Sequence, residues 1–144
     1  MFSAISVAAF LSQVAVLLWM VLSDSLVGRG PLAQVLQVLA VLLMIWARVT
    51  FGARSFHAAA GPTEGQLVTT GPYAIVRHPI YAAIALFTLS ALLSNWSREN
   101  GIAALVIVVA TVIRVESEER LLRRKYADYA EYSGRTSRIL PPLY

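Results

Sequence analysis

Gly71-Pro72-Tyr73-Ala74-Ile75-Val76-Arg77-His78-Pro79-Ile80-Tyr81 opens the third of four apolar stretches in this chain, and its reading decides what the other three are for. Two bases, two prolines and two tyrosines stand where a plain membrane anchor needs none of that chemistry. Gly71-Pro72 and His78-Pro79 each read as a turn followed by a helix start. Pro79 occupies the first helical position, where its missing N–H costs nothing. A helix N-terminus at that point offers amides and a positive dipole end to an anion such as a carboxylate.

The surrounding chain reads as lipid-embedded. With 58% hydrophobic and only 14% charged residues, its 144 residues are too apolar for a soluble domain of this size. Met1 to Ser23, Gly30 to Ala47, Pro79 to Ser97 and Asn100 to Ile113 carry no charge. A span needs about 20 residues, so the first three are long enough or nearly so and the fourth is short. The first lacks the basic start and cleavage site of a secretory signal and is read as a retained helix. Turn residues at Gly28-Arg29-Gly30-Pro31 and at Asn95 to Gly101 separate the helices in pairs. Trp19, Trp46 and Trp96 fall near segment ends, as an interfacial belt requires. The expected fold is all-α and integral to the membrane, with about four transmembrane helices in a single domain, 1–144. Residues 1–56 supply two N-terminal helices and 57–144 a cofactor-binding core.

Charge sets the expected orientation. Ten of the twelve basic residues lie between 48 and 77 or from 114 onward. The positive-inside rule then places both termini and the 48–77 loop in the cytoplasm, which for a bacterium means a protein of the inner membrane. Topology therefore explains the net charge of +4. The interleaving of aromatic and basic residues that nucleic-acid binding uses is absent. There are no cysteines and only two histidines, His57 and His78, so neither disulfides nor a structural metal site is expected.

The fourth segment forces charge toward the membrane. Its uncharged part covers about 21 Å against a hydrocarbon core of roughly 30 Å. With the helix continued to Tyr132, Glu116 pairs with Arg120 and Glu119 with Arg123 at i,i+4, on what reads as a wetted face. Arg114 and Glu118 share the apolar stripe of Ile107, Ala110, Thr111, Leu121 and Leu122, and an ionisable pair there points to a functional site. The competing reading is a structural ion pair that caps the bundle. Likewise Arg77 suits snorkelling to headgroups, and His78 suits a hydrogen-bonded core position.

Taken together these motifs resemble a known family. Leu67-Val68-Thr69-Thr70-Gly71-Pro72-Tyr73, Val76-Arg77-His78-Pro79-Ile80-Tyr81, Glu118-Glu119-Arg120-Leu121-Leu122, then Tyr126, Tyr129, Tyr132, Arg138 and Pro141, look like the isoprenylcysteine carboxyl methyltransferase and phospholipid methyltransferase superfamily. The resemblance covers about residues 57–142. It implies S-adenosylmethionine as methyl donor, with S-adenosylhomocysteine as product. The cofactor site would lie at the cytoplasmic face, formed by the 57–81 loop, the last two helices and the C-terminal segment. By motif, cofactor contacts fall on Gly65, Gln66, Leu67, Val68, Tyr73, His78, Pro79, Ile80, Tyr81 and Glu118, and the catalytic, substrate-side arginine on Arg114. Two departures stand out: Gly65-Gln66 replaces a frequent histidine, and Ala82-Ala83 replaces a frequent glycine after the second tyrosine.

The residues make chemical sense of these roles. The donor is a sulfonium bearing an amino acid, so Glu118 suits its ammonium and His78 with the helix N-terminus its carboxylate. Tyr73 and Tyr81 suit the adenine or the cation. Arg114 favours a carboxylate acceptor, since an ionised acid wants a fixed guanidinium to orient it. Carboxyl methylation of an isoprenylcysteine-like lipid, drawn from the bilayer, is the leading expectation. Phospholipid or small-molecule N- or S-methylation is the alternative, and a transporter subunit or scaffold stays open as a non-enzymatic class. Oligomeric state is not legible.

Overall fold

The computed structural model describes residues 2–52 and 67–141. Four long helices and a short one follow in order: α1 Phe2–Leu22, α2 Pro31–Phe51, α3 Pro79–Ser94, α4 Arg98–Lys125 and α5 Tyr129–Gly134, with a 3-10 turn at Gly71–Ala74. Among the described residues there is no strand, only an isolated parallel bridge between Val76 and Ser137. The protein is all-α. Ala4–Leu22, Pro31–Phe51 and Arg98–Lys125 are long and apolar enough to cross a membrane, and Pro79–Ser94 is a shorter apolar helix.

The helices pack in the order α1, α4, α3, α2, each antiparallel to its neighbour. Their polar contacts show the direction. At one end, hereafter the turn end, the Trp19 indole donates to Asn100 Oδ1 at 3.0 Å, joining the end of α1 to the start of α4. At the other, the site end, Arg114 of α4 donates to the backbone oxygen of Ser6 near the start of α1. The apolar core sits toward the turn end, where Val16, Met20, Ala91, Leu92, Ala103, Ala104 and Ile107 interlock. Small residues at the crossings let α4 approach both neighbours closely.

Helix lengths depart from expectation at both members of the second pair. Pro79–Ser97 reads as a full span, yet α3 has 16 residues and stops at Ser94. Its start is fixed because Pro79 disfavours helical geometry at His78, whose φ of −125° and ψ of 59° lie outside it. At its end, Asn95 donates to Ala91 O and Val27 O, each at 2.9 Å, turning the chain. Ser97 instead caps α4, accepting from the Asn100 N–H. The fourth helix, short by its uncharged residues, is the longest at 28 residues, because its charged turns find partners without leaving the helix.

Nor does that helix run on to Tyr132. Its ladder closes at Tyr126 N–H to Leu122 O, with Arg123, Arg124 and Lys125 complementing the negative dipole end. The chain then reverses into α5. A continued helix would carry Tyr129 about 15 Å beyond Glu119, whereas the reversal brings its hydroxyl to 2.7 Å from Glu119 Oε1.

Before α3, Gly71 has φ of 57°, and a Cβ there would meet Thr50 Oγ1 at 2.7 Å. Only glycine lets this turn lie against α2.

Candidate functional site

A cleft at the site end is lined by Phe51, Leu67, Val68, Tyr73, Arg77, Glu118, Leu122, Tyr126, Tyr129 and Tyr132. The end of α2, the turn before α3, the last turns of α4 and α5 thus meet in one place. Of the cofactor contacts assigned by motif, Leu67, Val68, Tyr73 and Glu118 line it. Gly65 and Gln66 lie outside the described residues.

The floor is a buried polar network centred on Glu119, which is 1% exposed. Its Oε1 accepts from Arg77 Nε at 2.8 Å and from the Tyr129 hydroxyl at 2.7 Å, and lies 2.9 Å from His78 Nε2. Its Oε2 receives Arg123 Nη2 at 3.5 Å. The i,i+4 pair with Arg123 therefore forms, but the wetted face assigned to Glu119 is a correction: the carboxylate faces inward. Glu119 follows Val115 by one turn, and Val115 is fully buried. Burial of the carboxylate is tolerable because a guanidinium and two further donors converge on it.

Arg77 does not snorkel. Its Nη1 donates to Ser133 O at 3.0 Å and also to the Thr136 carbonyl, so one guanidinium ties α4 to the C-terminal segment. That segment is further stitched down by Arg77 N–H to Ser137 O, His78 N–H to Arg138 O and the Tyr132 hydroxyl to Tyr73 O. Arg138 Nη1 reaches Glu116 Oε1 at 2.5 Å. Burial, reinforced by the hydrogen bond to Glu119, raises the Tyr129 phenol above its ordinary range and keeps it a donor.

Glu118 differs from its neighbour. Its side chain is 26% exposed, it borders the cleft, and its Oε2 lies 3.8 Å from His78 Nδ1. The imidazole therefore stands between the two glutamates, behind the cleft, with its backbone N–H committed to Arg138. Pro79 is buried beside it as the first residue of α3, and Ile80 is half-buried.

Arg114 and Tyr81 lie one turn deeper. Arg114 is 4% exposed, and its Nε donates to the Tyr81 hydroxyl at 3.2 Å. The guanidinium lies over the rings of Phe10 and Tyr81, at 5.3 and 5.4 Å from their centroids. The sequence pointed to Arg114 and Glu118 as a pair. It gave no sign that α1 supplies partners to Arg114, because contacts between distant segments leave no spacing signal.

Comparison with known proteins gives the arrangement its place. The family model described as phospholipid methyltransferase matches residues 27–129, a stretch that begins after α1. The nickel-cobalt-cadmium resistance protein NccN of Alcaligenes xylosoxydans xylosoxydans is 33% identical over 87 residues, covering 58% of this chain and 40% of that protein. The cobalt-zinc-cadmium resistance protein CzcN of Cupriavidus metallidurans is 29% identical over 86 residues, covering 58% and 39%. The matched stretch thus spans about two-fifths of each relative's length. No solved structure matches. With more than half of its length inside the family model, the chain belongs to the phospholipid methyltransferase family of integral-membrane methyltransferases.

Proposed function

We propose that the chain transfers a methyl group from S-adenosylmethionine to a lipidic or hydrophobic acceptor, with the donor in the cleft bordered by Tyr73 and Glu118. The observation that carries this reading is the partly exposed Glu118 carboxylate at the cleft wall, set one turn from the buried Arg114. The donor set fits: a carboxylate for the ammonium, and tyrosine faces from Tyr73, Tyr126 and Tyr132 for the adenine or the cation. Arg77 lines the cleft with Nε and Nη1 committed, and Nη2, which has no partner among the described residues, is its remaining donor for the amino acid's carboxylate. His78 stands behind Glu118, its Nδ1 3.8 Å from Oε2.

When bound, the donor supplies an electrophilic methyl carbon on a sulfonium and leaves as a neutral thioether. The chain's part is positioning and exclusion of water. Glu118 and the tyrosines fix the donor, and Arg114 orients the acceptor. A carboxylate acceptor is already ionised at neutral pH, so an oxygen lone pair forms the new C–O bond as the C–S bond breaks and no proton has to move. This favours carboxyl methylation, with an isoprenylcysteine-like lipid as the leading acceptor. Amine methylation of a phospholipid headgroup is the second reading, supported by the family's description. The basic residues near the site end favour its facing the cytoplasm, with both termini on that side. Among the described residues no three His, Asp or Glu side chains gather as metal ligands.

Calorimetry of the detergent-solubilised chain with S-adenosylhomocysteine tests the donor site. Saturable one-to-one binding is expected, and absence of heat at millimolar ligand would overturn it. Transfer of a labelled methyl group to membrane lipid separates the acceptors, since a methyl ester is released by mild alkali and an N-methyl group is not.

A further inference from the structure

Arg114 is assigned an acceptor, yet α1 covers it. The guanidinium donates to the Ser6 carbonyl at 3.2 Å and is roofed by Phe10, both on α1. An acceptor that approaches Arg114 from the α1 side has to displace those contacts, and three features bear on how it does.

First, α1 is anchored unevenly. Toward the turn end, Val16 and Met20 are locked in the apolar core and Trp19 is tied to Asn100. Toward the site end, polar contacts join the packing of Ala9 and Phe10, with Gln13 Nε2 donating to Thr111 Oγ1 at 3.1 Å and Arg114 to Ser6 O. Apolar interlocking resists separation across its whole area, whereas a guanidinium's hydrogen bond to a neutral carbonyl yields to a carboxylate, which it binds more strongly. Second, the Ser6 hydroxyl is buried, the residue being 3% exposed, and has no hydrogen-bond partner among the described residues. A buried hydroxyl without a partner costs about 1 to 3 kcal/mol. It sits on the residue whose carbonyl Arg114 holds. Third, the family match begins at residue 27, so α1 lies outside the stretch shared with the family.

We propose that the site-end half of α1 is a lateral gate and specificity wall for the acceptor. It pivots on the Val16–Met20 anchor, and an anionic lipid head, a carboxylate on an acyl or prenyl tail, displaces the Ser6 carbonyl from Arg114. The carboxylate's second oxygen then accepts from the Ser6 hydroxyl, giving that group the partner it lacks. The tail stays in the bilayer alongside α1. Phe10, which roofs the guanidinium, limits the bulk next to the carboxylate. The proposal rests on Arg114 being the acceptor-orienting residue.

The chain has no cysteine, so spin labels can be placed cleanly. Ile5, on the lipid face of α1, and Arg124, in the exposed last turn of α4, form the reporting pair, as Ile5→Cys with Arg124→Cys. Val49→Cys on α2, with Arg124→Cys, is the static control. In vesicles, palmitate should shift the Ile5–Arg124 distance distribution to longer values by about 3 Å or more, one hydrogen-bonded layer. The control pair should stay fixed, palmityl alcohol should produce no shift, and Arg114→Gln should abolish it. An unmoved Ile5–Arg124 pair, or an equal shift with palmityl alcohol, overturns the gate. S-adenosylhomocysteine calorimetry on the same samples reads the donor site separately. Donor binding without opening sinks the gate alone, and opening without donor binding sinks the methyl-transfer reading alone.

Discussion

The two ends of the helix layer solve the same problem with different chemistry. At the turn end, both connections are held by neutral groups: Asn95 to Val27 O, the Gln37 side chain to the Gly28 N–H and Leu26 O, Arg29 N–H to Ser94 Oγ and Trp19 to Asn100. At the site end, three segments, the turn before α3, α4 and α5, are tied through one buried carboxylate and the donors that face it. Neutral clamps fix geometry locally and ask little of their surroundings. A buried charge is costly unless every partner is present, so it couples its partners: disturbing one disturbs all. The site end is thus ordered as a unit, with Glu119 as its keystone and Glu118 partly exposed at the cleft wall.

The largest expected effect comes from that keystone. Glu119→Gln keeps the shape but leaves Arg77 buried without its counter-charge, and should lower stability by about 3 to 5 kcal/mol in detergent thermal unfolding. A loss no greater than that of a surface substitution would erase the distinction between the ends. Next, Glu118→Gln should leave the melting temperature nearly unchanged while weakening S-adenosylhomocysteine binding by roughly 1 to 3 kcal/mol in calorimetry. The reverse pattern, with melting affected and binding intact, would exchange the roles of the two glutamates. At the turn end, Asn95→Ala removes the amide that bridges the two connections and should cost about 1.5 kcal/mol. Donor affinity should not change, because the turn end touches the cleft nowhere. A binding defect there would show the ends to be coupled.

The smallest effect belongs to Tyr132. Tyr132→Phe deletes its hydrogen bond to Tyr73 O and should cost about 1 kcal/mol in the same unfolding assay. Burial pushes this phenol up to about 12 from an ordinary 10.0. A raised pKa means that folding favours the neutral form. Its contribution is fully present below pH 10 and is lost as the pH rises toward 12. The parent protein should lose more stability over that window than Tyr132→Phe, and equal slopes would count against a buried phenol.

Much of this was legible from residues that act locally. His78-Pro79 sets the start of α3 through proline's own geometry, and Gly71 announces a turn that only glycine can make. The apolar stripe of α4 placed Arg114 among its buried residues. Glu119 was misplaced because the stripe is two residues wide: Val115 and Glu119 run beside Arg114 and Glu118, and a one-residue reading keeps only one track. The reversal after Lys125 was illegible too. Nothing in Tyr126-Ala127-Asp128 forbids a helix; the pull comes from Tyr129 meeting Glu119 and Arg77 meeting Ser133 and Thr136. The sequence likewise presents α1 as one more span, and its contact with Arg114 exists only in three dimensions.

The proline that fixes α3 also has a consequence for the surrounding lipid. Sixteen residues reach about 24 Å, some 6 Å less than an average hydrocarbon core. A bilayer beside such a helix thins to meet it, at a fraction of a kcal/mol for each ångström. Thinning draws headgroups inward and carries lipid heads toward the depth of the cleft. The protein should therefore work best in membranes of short-chain lipid, and the thickness of its host membrane becomes a factor in how readily a lipid head reaches the site.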